Sequence, residues 1–164
     1  MAYNNNNNRG NRRDSKPREK PEFEQKMVDL ARVTRVTGGG KRMSFRALVV
    51  IGDKKSRVGF GVAKGKEVSA AMNKAVEQAK KNMITVNLKD GTIPHDVLYK
   101  FKAASILLKP APLGTGVKAG GPVRIVLDMA GVQNIVGKML GTSKNKINYV
   151  TCTYEALKSF SDLK

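Results

Sequence analysis

The sequence predicts an α+β protein built from two small domains, and three observations carry that expectation. Short runs of β-branched and large apolar residues recur ahead of residue 66. There the apolar spacing changes from strand-like alternation to a helical repeat. A turn-rich stretch near residues 86–92 then precedes a second series of strand-like and helix-like segments. A length of 164 residues suits one ordinary domain or two small ones.

The elements follow in chain order. Residues 1–20, MAYNNNNNRGNRRDSKPREK, have no large aliphatic residue beyond Met1 and carry six Lys/Arg against two acids. Such a segment cannot bury a core and is expected to be a disordered basic arm. The first domain is placed at residues 21–88. Met27 to Val36 mixes two periods, so a short strand and a turn of helix both remain open. Gly38, Gly39 and Gly40 break that segment. Met43 to Asp53 reads as a strand that ends in a Gly-Asp turn signal, with KKS as the hairpin tip. Arg57 to Gly65 reads as a third strand, whose alternate Gly59 and Gly61 imply a close backbone approach or a bulge. Val68, Ala71, Met72, Ala75, Val76 and Ala79 then fall on one face of a helix. The first domain is therefore β-β-β-α.

The second domain is placed at residues 89–164. TIPHDVLYKF and AASILLKPA read as two strands. GPVRIVLDMAGV reads as a helix, with Pro122 in the first turn and Gly131 at the stop. NIVGKML reads as a strand and KINYVTCTYEALKSF as a last helix. The order expected here is β-β-α-β-α.

Charge narrows the function. The formal net charge is +18, from 31 Lys/Arg and 13 Asp/Glu. An excess of that size mainly attracts a polyanion, with nucleic acid ahead of an anionic membrane. No apolar run approaches the ~20 residues of a spanning helix, so none is expected. No secretory signal is expected, because residues 1–20 hold no apolar h-region. Cys152 is the single cysteine and His95 the single histidine, which excludes an internal disulfide, a cysteine cage and a histidine-pair zinc site. No cofactor is expected, and a reduced cytoplasmic setting fits.

Catalysis has little to stand on. His95 lies in a linker beside Asp96, and Asp53, Glu67 and Asp128 are scattered along the chain. Glu67 is explained by its place near a helix start. An enzyme would need a pocket around His95. The loop Gly114 to Pro122 lacks both the Gly-x-Gly-x-x-Gly pattern and a Gly-Lys-Ser/Thr motif, so it is no mononucleotide cradle. Its bare N–H groups still lead into a helix N-terminus, which favours an anion or an acidic side chain. Lys118 sits in that loop and Arg124 one turn into the helix. A docking surface for RNA or another protein is expected.

Between Lys26 and Lys66 stand 11 Lys/Arg and only two acids, Asp29 and Asp53. Arg35, Lys41 and Arg42 flank the glycines, Lys54, Lys55 and Arg57 mark the next turn, and Lys64 and Lys66 precede the helix. Alternate turns of a meander share one end of the sheet, so some of these charges must cluster. Phosphate binding would use them. Aromatics make up 5% of the chain and Trp is absent, while Phe45 and Phe60 lie in apolar strands and are expected in the core. Stacking on single-stranded bases is thus disfavoured, and folded RNA read by shape is favoured. Three glycines would let the loop's own amides reach a phosphate backbone. A free double-stranded-RNA-binding regulator or chaperone is the alternative class.

RVTRVTGGGKRMSFRALVVIGD, RVGFGVAKGKEVSAAMNKAVEQAKKNMITV, ILLKPAPLGTGVKAGGPVRIVLDMAG and NIVGKMLGTSKNKINYVTCTYEAL occur in register from about Phe23 to Phe160. Together they resemble the bacterial ribosomal protein S5 family. The resemblance implies a double-stranded-RNA-binding-like first domain and a second domain with a left-handed crossover, against the usual hand. It implies small-subunit rRNA as a ligand near the junction of head and body, and the glycine loop Thr34 to Lys41 beside the spectinomycin pocket. It implies that Thr115, Gly116, Lys118 and Arg124 face ribosomal protein S4. Gly116 and Arg124 match family positions where changes disturb decoding accuracy. S8 is the other implied neighbour, with mRNA near the entry channel. The family loop commonly reads Lys-Gly-Gly-Arg where this chain has Gly38-Gly39-Gly40-Lys41, and Ser69 replaces a proline at the helix start.

Overall fold

The computed structural model describes residues 22–161, so the expected arm at residues 1–20 lies outside the described residues. Four antiparallel strands form the first sheet in the order β1-β2-β3-β4: β1 (Glu24–Thr37), β2 (Gly40–Gly52), β3 (Arg57–Gly65) and β4 (Met83–Thr85). Helix α1 (Val68–Lys81) links β3 to β4. The second sheet has the order β5-β6-β8-β7: β5 (Val97–Phe101), β6 (Ala104–Pro110), β7 (Val117–Lys118) and β8 (Ile135–Met139). Helix α2 (Gly121–Ala130) joins β7 to β8, and α3 (Lys146–Ser161) follows. β7 and β8 run parallel, the pairing that a crossover connection requires, and α2 carries that connection.

One open reading is decided and two element orders are corrected. Met27 to Val36 lies wholly within a strand, because long-range pairing with β2 satisfies its backbone and a bulge between Met27 and Asp29 absorbs its mixed period. The first unit gains β4 and the second gains β7, so their orders are β-β-β-α-β and β-β-β-α-β-α. Segments of two or three residues have no period to read, and only their partner strands define them.

Alternation along β2 builds two cores. Ala47, Val49 and Ile51 point to one face, against Ala71, Ala75 and Ala79 of α1. Leu48 and Val50 point to the other face, with Val58 of β3. They join a larger apolar core with Ile106, Leu127, Ile135, Leu157 and Phe160 of the second unit. The first sheet is therefore covered on both faces, by its own helix and by the second unit. That explains why residues 47–51 read as an unbroken apolar run.

Helix α1 lies close to its sheet because both surfaces are small. A Cβ on Gly59, Gly61 or Gly65 would lie 2.4 Å from the Ala79 carbonyl oxygen, 2.0 Å from that of Ala75, or 2.6 Å from the Ala71 nitrogen. The close approach inferred from Gly59 and Gly61 is present. Lys80 and Lys81 in the last turn complement the helix dipole. Helix α2 ends in a Schellman motif: the Gly131 N–H donates to Asp128 O and the Val132 N–H to Leu127 O, with Gly131 at φ +81°.

The β2–β3 turn is organised by Asp53. Its Oδ1 accepts from the N–H groups of Lys55, Ser56 and Arg57 at 2.9–3.0 Å, and its Oδ2 accepts from Arg57 Nε at 2.9 Å. Burial opposes ionisation of this carboxyl. The Arg57 guanidinium and the three amides outweigh burial and hold it well below the usual carboxylate range. A depressed folded value contributes stability that is complete above the unfolded value of about 3.9 and is lost as pH falls through the folded one. Asp53→Asn is expected to be less stable than the parent by about 2 kcal/mol at pH 7. That gap narrows as pH drops below about 4. Urea midpoints of both proteins from pH 7 to pH 2 measure this; a gap that does not change with pH would refute it.

Candidate nucleic-acid and protein interface

The cations singled out in the sequence divide between two ends of the first sheet. Arg35 pairs directly with Arg42 across the β1–β2 hairpin, Thr34 with Met43 and Val36 with Lys41. The β3–α1 link returns to this same end and brings Lys66 beside them. Arg35, Arg42, Met43, Ser44 and Lys66 line one open concavity of about 600 Å³, with no acid in its wall. Two like charges placed opposite each other on a hairpin repel. No acid within ion-pair distance relieves Arg35, Arg42 or Lys66 among the described residues. Lys64 stands opposite Arg46 one step further in.

At the hairpin tip, Gly38 and Gly39 have open space where a Cβ would sit. Gly40 adopts φ +148°, and Thr37 Oγ1 donates to its carbonyl at 3.0 Å. The tip therefore presents bare backbone next to Lys41 and Arg42.

Lys54, Lys55 and Arg57 lie at the opposite end of the sheet. There Lys54 Nζ is 2.7 Å from Glu24 and Arg57 is 3.2 Å from Glu22 and 2.9 Å from Asp53. The Arg57 guanidinium also covers the Phe23 ring at 4.9 Å. Among the described residues Lys55 has no such partner. This turn also meets the second unit, since the Lys54 N–H donates to Met129 O at 3.1 Å.

The loop before α2 is a second constellation. Gly114 and Gly116 take φ +88° and +73°. Thr115 Oγ1 donates to Pro112 O at 2.8 Å. Gly120 is the N-cap, Pro122 lies in the first turn, and Arg124 is exposed with a loose 3.9 Å pairing to Asp128. Sequence reasoning missed the residue that holds this loop. Asn134 is buried, and its Oδ1 accepts from the N–H groups of Gly114 at 3.0 Å and Gly116 at 3.2 Å. Its own carbonyl accepts from Thr92 Oγ1 in the linker at 2.6 Å. One asparagine between a helix stop and a strand gives no sign of burial in a sequence. The Gly52-Asp53 pair signals a turn, but not that the Asp53 carboxylate organises it.

His95 has no catalytic setting here. Its ring meets the edge of Phe160 at 5.0 Å, a packing contact. Cys152 is buried, its Sγ 3.4 Å from Tyr99 O, and burial pushes its thiol upward in pKa. Among the described residues no group of His, Cys, Asp and Glu could hold a metal ion, and no helix is long and apolar enough to cross a membrane.

Fold and site together define a basic protein of two α+β units, with a cationic hairpin at one end and a glycine loop at a helix start. Residues 23–87 match the family described as ribosomal protein S5, N-terminal domain, and residues 99–164 match its C-terminal domain. The small ribosomal subunit protein uS5 of Roseobacter denitrificans is 48% identical over 162 residues, covering 98% of this chain and 83% of that protein. The uS5 proteins of Treponema pallidum and Treponema denticola are 48% and 47% identical over 143 residues, covering 87% of this chain and 83% and 82% of theirs. The chain belongs to the bacterial ribosomal protein S5 family, whose members are ribosomal proteins and not enzymes.

Proposed function

We propose that this small-subunit ribosomal protein grips folded rRNA with its β1–β2 hairpin and docks neighbouring proteins with the loop before α2. The observation that carries the first part is the meeting of Arg35, Arg42 and Lys66 around one acid-free concavity beside the bare Gly38–Gly39 tip. Exposed cations with no internal partner are available to phosphates, and open amides add short hydrogen bonds where side chains would hold the backbone away. Thr34, Gly40, Lys41 and Lys64 belong to the same end of the sheet, with Lys64 on the Arg42 face and Thr34 and Lys41 on the other. Lys54, Lys55 and Arg57 form a second, partly neutralised contact at the far end.

The second part rests on the half-buried Thr115 and Gly116 of the loop, on the exposed Lys118 that follows, and on exposed Arg124, whose pairing with Asp128 is loose at 3.9 Å. Family membership supports S4 as the protein facing this loop, S8 as a second neighbour, and mRNA near the entry channel. It also supports a place in the ribosome in the cytoplasm, a part in subunit assembly, and an effect on translational accuracy. Accuracy would follow if contact at the loop favours one of two subunit states.

The test measures binding to small-subunit rRNA against salt concentration. The triple variant Arg35→Ala, Arg42→Ala, Lys66→Ala is expected to bind at least tenfold more weakly in dilute buffer, as befits a slope of about 0.9 per phosphate contact. The slope of log K against log salt should become shallower by about 2 to 3. Lys54→Ala with Arg57→Ala is expected to change the slope by less than 1, because acids already occupy those cations. An unchanged slope in the triple variant would overturn the assignment.

A further inference from the structure

The second sheet has one covered face and one open face. α3 packs on β5 and β6 and α2 lies beside β7, while Ile106, Leu108 and Ile135 of the inner face are fully buried. Alternation sends the other residues outward. Register sets Leu98, Leu107 and Lys138 side by side in one row, and Lys109, Val136 and Lys118 in the next. Lys100 and Leu140 extend the face. Leu98 is 67% exposed, Leu140 51% and Val136 41%. The four strands contribute Lys100, Lys109, Lys118 and Lys138 and not one acid.

We infer that this open face is a docking surface for an acidic, aliphatic segment of a protein partner. The inference rests on the proposed protein-docking role of the loop before α2, because Lys118 belongs to both and the two surfaces are continuous. Charge complementarity sets the sign of the occupant: four lysines with no acid in ion-pair distance among the described residues favour carboxylates or phosphates. The rest of the face selects between these. RNA would set phosphate and sugar against the exposed Leu98, Val136 and Leu140, and the face offers no ring for stacking on a base. It presents leucine and valine, with lysine stems that can lie over an apolar partner while their ammonium groups reach its acids. A partner segment with aliphatic residues interleaved with Asp or Glu matches both rows.

The full-length protein carrying the photo-crosslinker p-benzoylphenylalanine at Val136 tests this inside assembled small subunits, with a second protein carrying it at Thr115. Irradiation at Val136 is expected to give an adduct that survives nuclease and is removed by protease, and the crosslinked peptide should be net acidic. A nuclease-sensitive adduct, a basic peptide or no adduct at Val136 overturns the inference. A protein adduct at Thr115 in the same experiment leaves the loop reading standing, while RNA adducts at both positions remove both. Val136→Asp, at an exposed position, should unfold at the parent's temperature and yet be about tenfold more weakly retained on small subunits. Unchanged retention also overturns it.

Discussion

Gly61→Val is expected to destabilise the protein by about 3 kcal/mol or more, lowering the melting temperature by roughly 10 °C. A Cβ at this position would lie 2.0 Å from the Ala75 carbonyl oxygen, 3.0 Å from its carbon and 2.8 Å from the Ala79 nitrogen. All three atoms belong to the backbone of α1, so no side chain can rotate away. The helix must lift, and lifting it separates Ala71, Ala75 and Ala79 from Ala47, Val49 and Ile51. Gly38→Ala is the matched control. It meets no atom within 4 Å and needs no left-handed backbone, so its melting temperature should stay near that of the parent. Thermal unfolding followed by circular dichroism compares the two. Equal stability in both variants would mean that α1 does not sit on β3 as described. If the hairpin amides reach phosphates, Gly38→Ala should weaken RNA binding instead.

Gly131→Val is expected to cost about 3 to 5 kcal/mol through two separate causes. Gly131 closes α2 in the left-handed region at φ +81°, where a β-branched residue is strained by about 1–2 kcal/mol. Its Cβ would also lie 2.4 Å from the Lys54 carbonyl oxygen and 2.5 Å from the carbon. That clash falls where the β2–β3 turn of the first unit rests on the end of α2. Gly52 repeats the geometry from the other side, since a Cβ there would lie 2.1 Å from Met129 O. The variant should therefore loosen the junction as well as the helix, and the linker around residues 87–96 should become more sensitive to limited proteolysis. Gly114→Ala has a comparable backbone, φ +88°, and no neighbour within 4 Å, so it should show only the smaller conformational cost. If both variants lose the same stability, the contact between the units contributes nothing.

Much of this architecture is legible in the residues. The change of period near residue 66 marks α1, and the apolar face from Val68 to Ala79 is the face that packs. Pro122 and Gly131 bracket α2 because each fits a backbone geometry that is fixed locally. β3 spans Arg57–Gly65, as its bounding turn residues indicate. β4 and β7 were not legible, since a strand of two or three residues is created by its partners.

The candidate site divides in the same way. That Arg35, Lys41 and Arg42 flank a glycine tip is a property of the chain, and so is the one-signed charge between Lys26 and Lys66. Which of those cations meet is not. Antiparallel pairing brings Lys66 to the Arg35–Arg42 pair and carries Lys54 and Arg57 to the far end, where Glu24, Glu22 and Asp53 neutralise them. Asn134 beneath the Gly114–Gly116 loop and the open lysine-and-leucine face of the second sheet likewise come from packing. The sequence by itself determined the elements, the sign of the charge and the glycines, because local backbone preference and side-chain period are properties of neighbouring residues. Only the tertiary structure decided which charges stand free and which sheet face stays open, because both depend on residues far apart in the chain being brought together.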